Sequence, residues 1–305
     1  MTEQQKSRIA QILELERIDK DIFRGNVIPS RFQRTFGGQV AAQCLVAATE
    51  TVRPDHGVHS LHGYFVGPGR PDRPTVYLVD RIRDGRSFVS RSVKAVQDGK
   101  TLFIMQASFH VRGDQGPKHS DVMRTVPDPE TITVDVEKLS AVHQAMREEW
   151  KDWDIRIVPQ DEYKHNPYTP TQQVVWFRTK NTLPDDETFH ICTLAYMSDM
   201  TLLGSALVPH RDEGEIQEAS LDHAMWFLRP FRADEWLMYD QISPSAHAGR
   251  ALTHGRIFNQ QGDLVAVVTQ EGLTRYINRE DYPTVPITLL EDSEDEPAVK
   301  RGDSK

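Results

Sequence analysis

Residues 37–52 read GGQVAAQCLVAATETV, and the fold follows from this stretch. Two adjacent apolar stripes run along it at helical spacing: Val40, Cys44, Ala47 and Ala41, Leu45, Ala48, Val52. So wide an apolar surface implies a helix that is largely enclosed. Four segments follow: VHSLHGYFVG (58–67), PTVYLVDRIRD (74–84), SFVSRSVKAVQ (87–97) and TLFIMQASFHV (101–111). They are rich in β-branched and aromatic residues and separated by Gly, Pro and Asp turns, the pattern of an antiparallel meander. A sheet curled around one central helix is the simplest packing that buries that helix.

The same order returns later in the chain. Ser60-Leu61-His62-Gly63-Tyr64-Phe65 is echoed by Ser220-Leu221-Asp222-His223-Ala224-Met225-Trp226-Phe227. Gly85-Arg86 precedes Gln106 by 21 residues, and Gly249-Arg250 precedes Gln270 by the same 21. Hairpin signals QDGK (97–100) and QQGD (260–263) lie between them. An internal duplication explains all three matches. The second helix is expected over 189–207 and its strands near 219–228, 234–243, 247–259 and 263–274. Two such α+β units would pair side by side into one sheet. The expected organisation is an N-terminal arm (1–18), a first unit (19–112), a linker with a surface helix (113–150), a second unit (151–278) and an acidic, disordered tail (279–305).

Composition narrows the function. The 305 residues carry 36 basic and 45 acidic side chains, a net charge of -9, which counts against general nucleic-acid binding. No run of 18 apolar residues is present to span a membrane. Cys44 and Cys192 stand far apart with no CxxC, so neither a disulfide framework nor a cysteine zinc site is expected. No secretory signal and no Ser-Lys-Leu address is visible, which points to the cytoplasm.

Several apparent motifs fail on spacing. Gly99-Lys100-Thr101 lacks the earlier glycine of a phosphate loop, and no HExxH or GxSxG occurs. His59 and His62, three apart on a strand, do not share a face for one metal. Ser220, Asp222 and His223 invite a triad, but neighbouring strand residues point to opposite faces, so His223 would not relay between the other two.

Asp199 is more informative. It shares an apolar helical stripe with Ala195, Leu202 and Ala206, where an unpaired carboxylate is costly. Either it serves chemistry, or Ser198-Asp199 caps a shorter helix beginning at Met200. Gln270 likewise ends the inward row Leu264, Ala266, Val268. Its amide needs partners, catalytic or merely backbone. Asp199, Ser220 and Gln270 would thus meet from a helix and two strands of one half. Gln39, Ser60 and Gln106 have closely similar spacing in the first half but include no carboxylate, so only the second half carries a base.

These motifs together resemble the type II acyl-CoA thioesterases, a family with bacterial and peroxisomal members. The resemblance covers about residues 10–278 and rests on FGGQVAAQ (36–43), VHSLHGYFVGPG (58–69), DGRSFVSRSVKAVQDG (84–99), AYMSD (195–199), ASLDHAMWFLRPF (219–231) and TQEG (269–272). It implies an α+β double hotdog fold, two tandem units each with a central helix wrapped by a curved antiparallel sheet. It also implies hydrolysis of medium- to long-chain acyl-CoA to free fatty acid and coenzyme A. The family's catalytic trio of Asp, Thr or Ser, and Gln falls on Asp199, Ser220 and Gln270. A thioester needs an activated water and no cofactor or metal. Asp199 would act as general base or, alternatively, as nucleophile, with His62 the next candidate base. Arg86, Arg91 and Arg250 are either contacts for CoA phosphates or ordinary solvated charges. No Asp-x-Asn-Pro-x-His run of a hydratase occurs, and a non-catalytic acyl-CoA sensor would have no need of the carboxylate. Exposed sheet faces imply a homodimer or homotetramer.

Overall fold

The computed structural model describes residues 6–169, 171–210, 212–277 and 287–289. The chain opens with α1 (Arg8–Leu13) and the hairpin β1 (Leu15–Asp19) and β2 (Ile22–Gly25). The enclosed helix is α2 (Gly37–Thr49), followed by β3 (His56–Phe65), β4 (Val76–Asp84), β5 (Phe88–Gln97) and β6 (Lys100–Val111). After a crossing segment and α3 (Ala141–Glu149), the pattern repeats: β7 (Trp153–Ile157), β8 (Thr171–Thr179) and α4 (Glu187–Met197). It closes with β9 (Ile216–Ser220), β10 (Asp222–Phe227), β11 (Leu237–His247), β12 (Arg250–Asn259) and β13 (Leu264–Tyr276).

Among the described residues these strands form one 13-stranded sheet, in the order β1-β2-β4-β5-β6-β3-β10-β13-β12-β11-β8-β7, with β9 paired to β13. The two units join where β3 lies antiparallel to β10. Both central helices are buried on the inner side in one core that includes Leu45, Phe103, Leu194 and Val268. The N-terminus of α2 abuts the C-terminus of α4, and a Cβ on Gly38 would collide with the Tyr196 carbonyl. Only glycine permits that approach.

Three expectations meet differences here. The break drawn at 18/19 separates β1 from its hairpin partner β2. The arm is part of the sheet, and α1 buries Ile9, Ile12 and Leu13. The second helix ends at Met197, and after a turn the chain continues as a 3-10 helix, Leu203–His210. Of the acidic tail, only 287–289 fall among the described residues, where Ile287 bridges Phe32; the expected disorder concerns residues outside them.

The segment between the units is more than a connector. Met123, Val126 and Ile132 pack with Val158 and Tyr163 on the outer face of β8, β11 and β12, over Trp176, Met238 and Phe258. Trp176 donates its indole N–H to the Pro127 carbonyl at 3.1 Å, and Arg124 and Arg256 pair with the buried Asp240. The second unit is therefore covered on both faces.

Candidate active site

Asp199 lies neither inside a helix nor at a helix N-cap. It occupies the turn just beyond α4, whose C-cap is Ser198. Ser198 is held from several sides: its N–H donates to Leu194, and its carbonyl accepts from the Tyr239 hydroxyl at 3.1 Å. Three residues on, Thr201 is gripped by Gln241 and Gln173 from β11 and β8. The apolar pattern of Leu202, Leu203 and Ala206 would have continued the helix, but these strand contacts turn the chain and swing Asp199 inward.

There Asp199 meets the other two predicted residues. Its Oδ1 accepts from Gln270 Nε2 at 2.6 Å and from the Ser220 hydroxyl at 3.3 Å, while Gln270 Nε2 also reaches Ser220 Oγ at 3.0 Å. The carboxylate side chain is 5 % exposed. Burial raises its pKa above the ordinary value; His223, Gln270, the Gly38 N–H and Ser220 pull the other way, and burial prevails. The Gly38 N–H comes from the first turn of α2, so one unit's helix N-terminus faces the other unit's carboxylate. A Cβ on Gly37 would lie 2.7 Å from Asp199 Oδ2.

Sequence reasoning missed His223. It is fully buried, with Nδ1 at 3.2 Å from Gln270 Nε2 and Nε2 at 2.8 Å from Ser198 Oγ. Ser198 Oγ donates to the Ala195 carbonyl, so it accepts from His223 Nε2–H and leaves Nδ1 as an acceptor toward Gln270. Burial lowers the imidazole pKa, consistent with this neutral form. The Gln270 amide nitrogen thus faces three acceptors, and its Oε1 is buried without a protein partner among the described residues.

The reason for the miss is a bulge. Ser220 pairs with Gly272, whereas Ala224 pairs with Thr269, so one extra residue is accommodated at Leu221. Ser220 and His223 therefore both face inward, where an unbroken strand would oppose them. Asp222 points away from His223, toward the Glu271 N–H and His62. His62 itself is exposed on the outer face, so it is no alternative base for this site.

The first unit has no equivalent cluster. Ala107 is opposite both Leu61 and Arg91, as Gln270 is opposite Thr253, with His223 one step beyond the Ala224–Thr269 pair. Register therefore equates Ala107 with Gln270 and Leu61 with His223. Gln106 and Ser60 face outward; in this register Gln106 is one residue out of step with Gln270, and Ser60 is two out of step with Ser220. Arg91 is 1 % exposed and donates to the Thr51 hydroxyl and carbonyl and to Asp84. It is a structural cation, neither a CoA contact nor a solvated charge. Arg250 is exposed beside Glu271 at 3.7 Å, and Arg86 is exposed.

A cavity of about 640 Å³ opens onto the cluster and includes Gly37 and Ser220 in its lining. Phe32, Phe36, Val40, Phe65, Leu102 and Met146 make most of its wall apolar. This size suits a small-molecule site.

Comparisons with known proteins agree with the fold. Residues 146–273 match a family model described as acyl-CoA thioesterase, and residues 28–110 match one described as the acyl-CoA thioesterase N-terminal domain. Acyl-coenzyme A thioesterase 8 of Mus musculus is 41% identical over 287 residues, covering 88% of each chain. The solved structure of acyl-CoA thioesterase II TesB2 from Mycobacterium marinum has a TM-score of 0.80 at 54% identity, over 88% of this chain and 99% of that one. A hot dog fold protein of unknown function from Alicyclobacillus acidocaldarius superimposes with a TM-score of 0.72 at 19% identity, over 90% and 100% of the two chains, and speaks for the fold alone. With a doubled helix-in-sheet fold, two matching family models and relatives of this identity along most of its length, the chain belongs to the type II acyl-CoA thioesterase family.

Proposed function

We propose that the protein hydrolyses medium- to long-chain fatty acyl-CoA to free fatty acid and coenzyme A, with Asp199 as general base. The observation that carries this reading is the convergence of Ser220 and Gln270 on one Asp199 oxygen, within 3.3 Å, beside a largely apolar cavity. A water donating one hydrogen to Asp199 and the other to the orphaned Gln270 Oε1 is aligned before reaction, which removes much of the entropic cost. Asp199 takes the water proton as the oxygen attacks the thioester carbonyl. The C–S bond then breaks, and the departing thiolate takes the proton that Asp199 holds, which restores the carboxylate. The N-terminal end of α2 at Gly37 supplies positive potential for the carbonyl oxygen. The acyl chain occupies the apolar wall, and no metal or cofactor enters any step.

A homodimer or homotetramer in the cytoplasm completes the reading. Cys44 and Cys192 are both free and buried, in keeping with a reducing compartment. Among the described residues no helix is long and apolar enough to cross a membrane. The test is release of free thiol from saturated acyl-CoA substrates of short, medium and long chain. Turnover that peaks at medium to long chains is the expected result. Silence at every length would instead favour a non-catalytic acyl-CoA sensor.

A further inference from the structure

The cavity at the site is lined by unlike surfaces. Phe32, Phe36, Phe65 and Met146 are apolar, whereas β9 contributes Ile216–Ser220. Side chains on one face of a strand recur at every second residue, so Glu218 shares the face of Ser220, about 7 Å along the strand from it. Its side chain is exposed at the cavity wall, yet the protein around it displaces enough water to raise its pKa. No hydrogen bond or ion pair holds this carboxyl among the described residues. The strand itself is also only half paired. Among the described residues β9 pairs with β13 alone. Leu221 N–H donates to the Glu271 carbonyl at 2.9 Å, and Ile277 N–H to the Glu215 carbonyl at 3.0 Å. By antiparallel alternation, the backbone groups of Ile216, Glu218 and Ser220 therefore point to the free edge.

We propose that the amide-bearing arm of coenzyme A lies along this free edge and donates an amide N–H to the Glu218 carboxylate, so that Glu218 selects thiols carrying that amide. The proposal rests on the acyl-CoA reading above and names the contact made by the thiol half of the substrate. The chemistry singles out the arm. A saturated acyl chain has no donor to offer, and seating hydrocarbon against a carboxylate leaves its charge unmet. The arm has two secondary amides, and the first stands only two carbons from the sulfur. With the thioester carbonyl held at Asp199 and Ser220, an arm N–H falls within one strand repeat, the ~7 Å that separates Ser220 from Glu218. Peptide-like amides also match the unpaired N–H and C=O groups of a strand edge, as an added strand would. The apolar wall is left to the acyl chain.

Thiol release by the full chain from three lauroyl thioesters tests this. They are the thioester of coenzyme A, that of pantetheine, which keeps the arm without the nucleotide, and that of 2-mercaptoethanol, which has no amide. Glu218→Leu should lower kcat/KM about tenfold or more on the first two, the worth of a hydrogen bond to a charged group. On the third the loss should stay below about twofold. Glu218→Gln keeps an acceptor and should recover most of the loss. Equal losses on all three thioesters, no loss on lauroyl-CoA, or a Gln variant as impaired as the Leu variant overturns the proposal. So does a loss confined to lauroyl-CoA, which would move the contact to the nucleotide. Should Glu218→Leu fail to fold, Glu218→Ala takes its place. Calorimetry with S-dodecyl coenzyme A, a thioether that resists hydrolysis, separates this contact from the activity. If wild type releases no thiol from any acyl-CoA but binds the thioether about tenfold more tightly than Glu218→Leu does, the hydrolase reading falls and the contact stands. Equal binding by the two overturns the contact.

Discussion

The two units place the same scaffold around opposite ends of one helix pair, and they fill those ends with opposite chemistry. In the second unit the inward positions hold His223 and Gln270, and the turn after α4 presents Asp199. In the first, the corresponding positions hold Leu61 and Ala107, and Arg91 closes the end of α2 by donating to the Thr51 carbonyl. A helix C-terminus with unmet carbonyls is well served by a cation. A carboxylate in the same kind of place is costly, and on the proposed function it is retained for chemistry. The contrast teaches that a duplicated fold can keep its packing while only one copy carries a buried carboxylate at this end.

Asp199→Asn is the strongest way to break this contrast. Turnover on a medium-chain acyl-CoA should fall by about 10²–10⁴, the usual worth of a general base. The melting temperature should hold or rise. Burial raises the carboxyl pKa, so the folded chain binds that proton more tightly than the unfolded chain, and the charge opposes folding at neutral pH. A variant retaining more than about a tenth of wild-type turnover would falsify the assignment of Asp199 as base.

On the other side, Arg91→Leu should leave turnover per folded chain unchanged but destabilise the protein. Losing charge-assisted hydrogen bonds to buried carbonyls costs about 2–3 kcal/mol, measurable by urea unfolding. Loss of activity without loss of stability would mean that the first unit's end is functional after all.

His223→Phe sharpens the comparison by making the second unit more like the first. Without the Nδ1 acceptor the Gln270 amide is less firmly oriented, and kcat should drop about fivefold to tenfold, a hydrogen bond's net worth. KM should stay constant, because His223 does not line the cavity. A change in KM alone would assign His223 to substrate binding instead.

The pH profile gives a subtler reading of the same site. The base must be deprotonated, and burial raises its pKa, so the acid limb of kcat/KM should fall at a pH above the 3.8 of an ordinary Asp. A limb at or below that value removes burial as the dominant influence on Asp199. The smallest effect is expected for Gln106→Ala. Its outward side chain should change turnover by less than about twofold, as surface substitutions do, even though sequence spacing pairs it with Gln270.

Most of the framework was legible from local pattern. The apolar stripes of residues 37–52 place α2, and turn residues around 97–100 and 260–263 place both hairpins. Asp199 and Gln270 were also recognisable as polar groups breaking apolar rows. Less legible was anything that depends on one residue of phase. Bulges at Leu221 and between Val58 and Ser60 each shift side chains to the other face of the sheet. That single step hid His223.

Sequence alone, then, determined the doubled helix-in-sheet plan, because periodic burial of apolar side chains is a local property that spacing records. Tertiary structure decided where α4 stops, because Tyr239, Gln241 and Gln173 reach the turn across 41, 40 and 28 residues of chain. It also decided that the α2 N-terminus of one unit should meet Asp199 of the other. Nothing local encodes that meeting, since it arises only when β3 and β10 join the two sheets and bring both helices into one core.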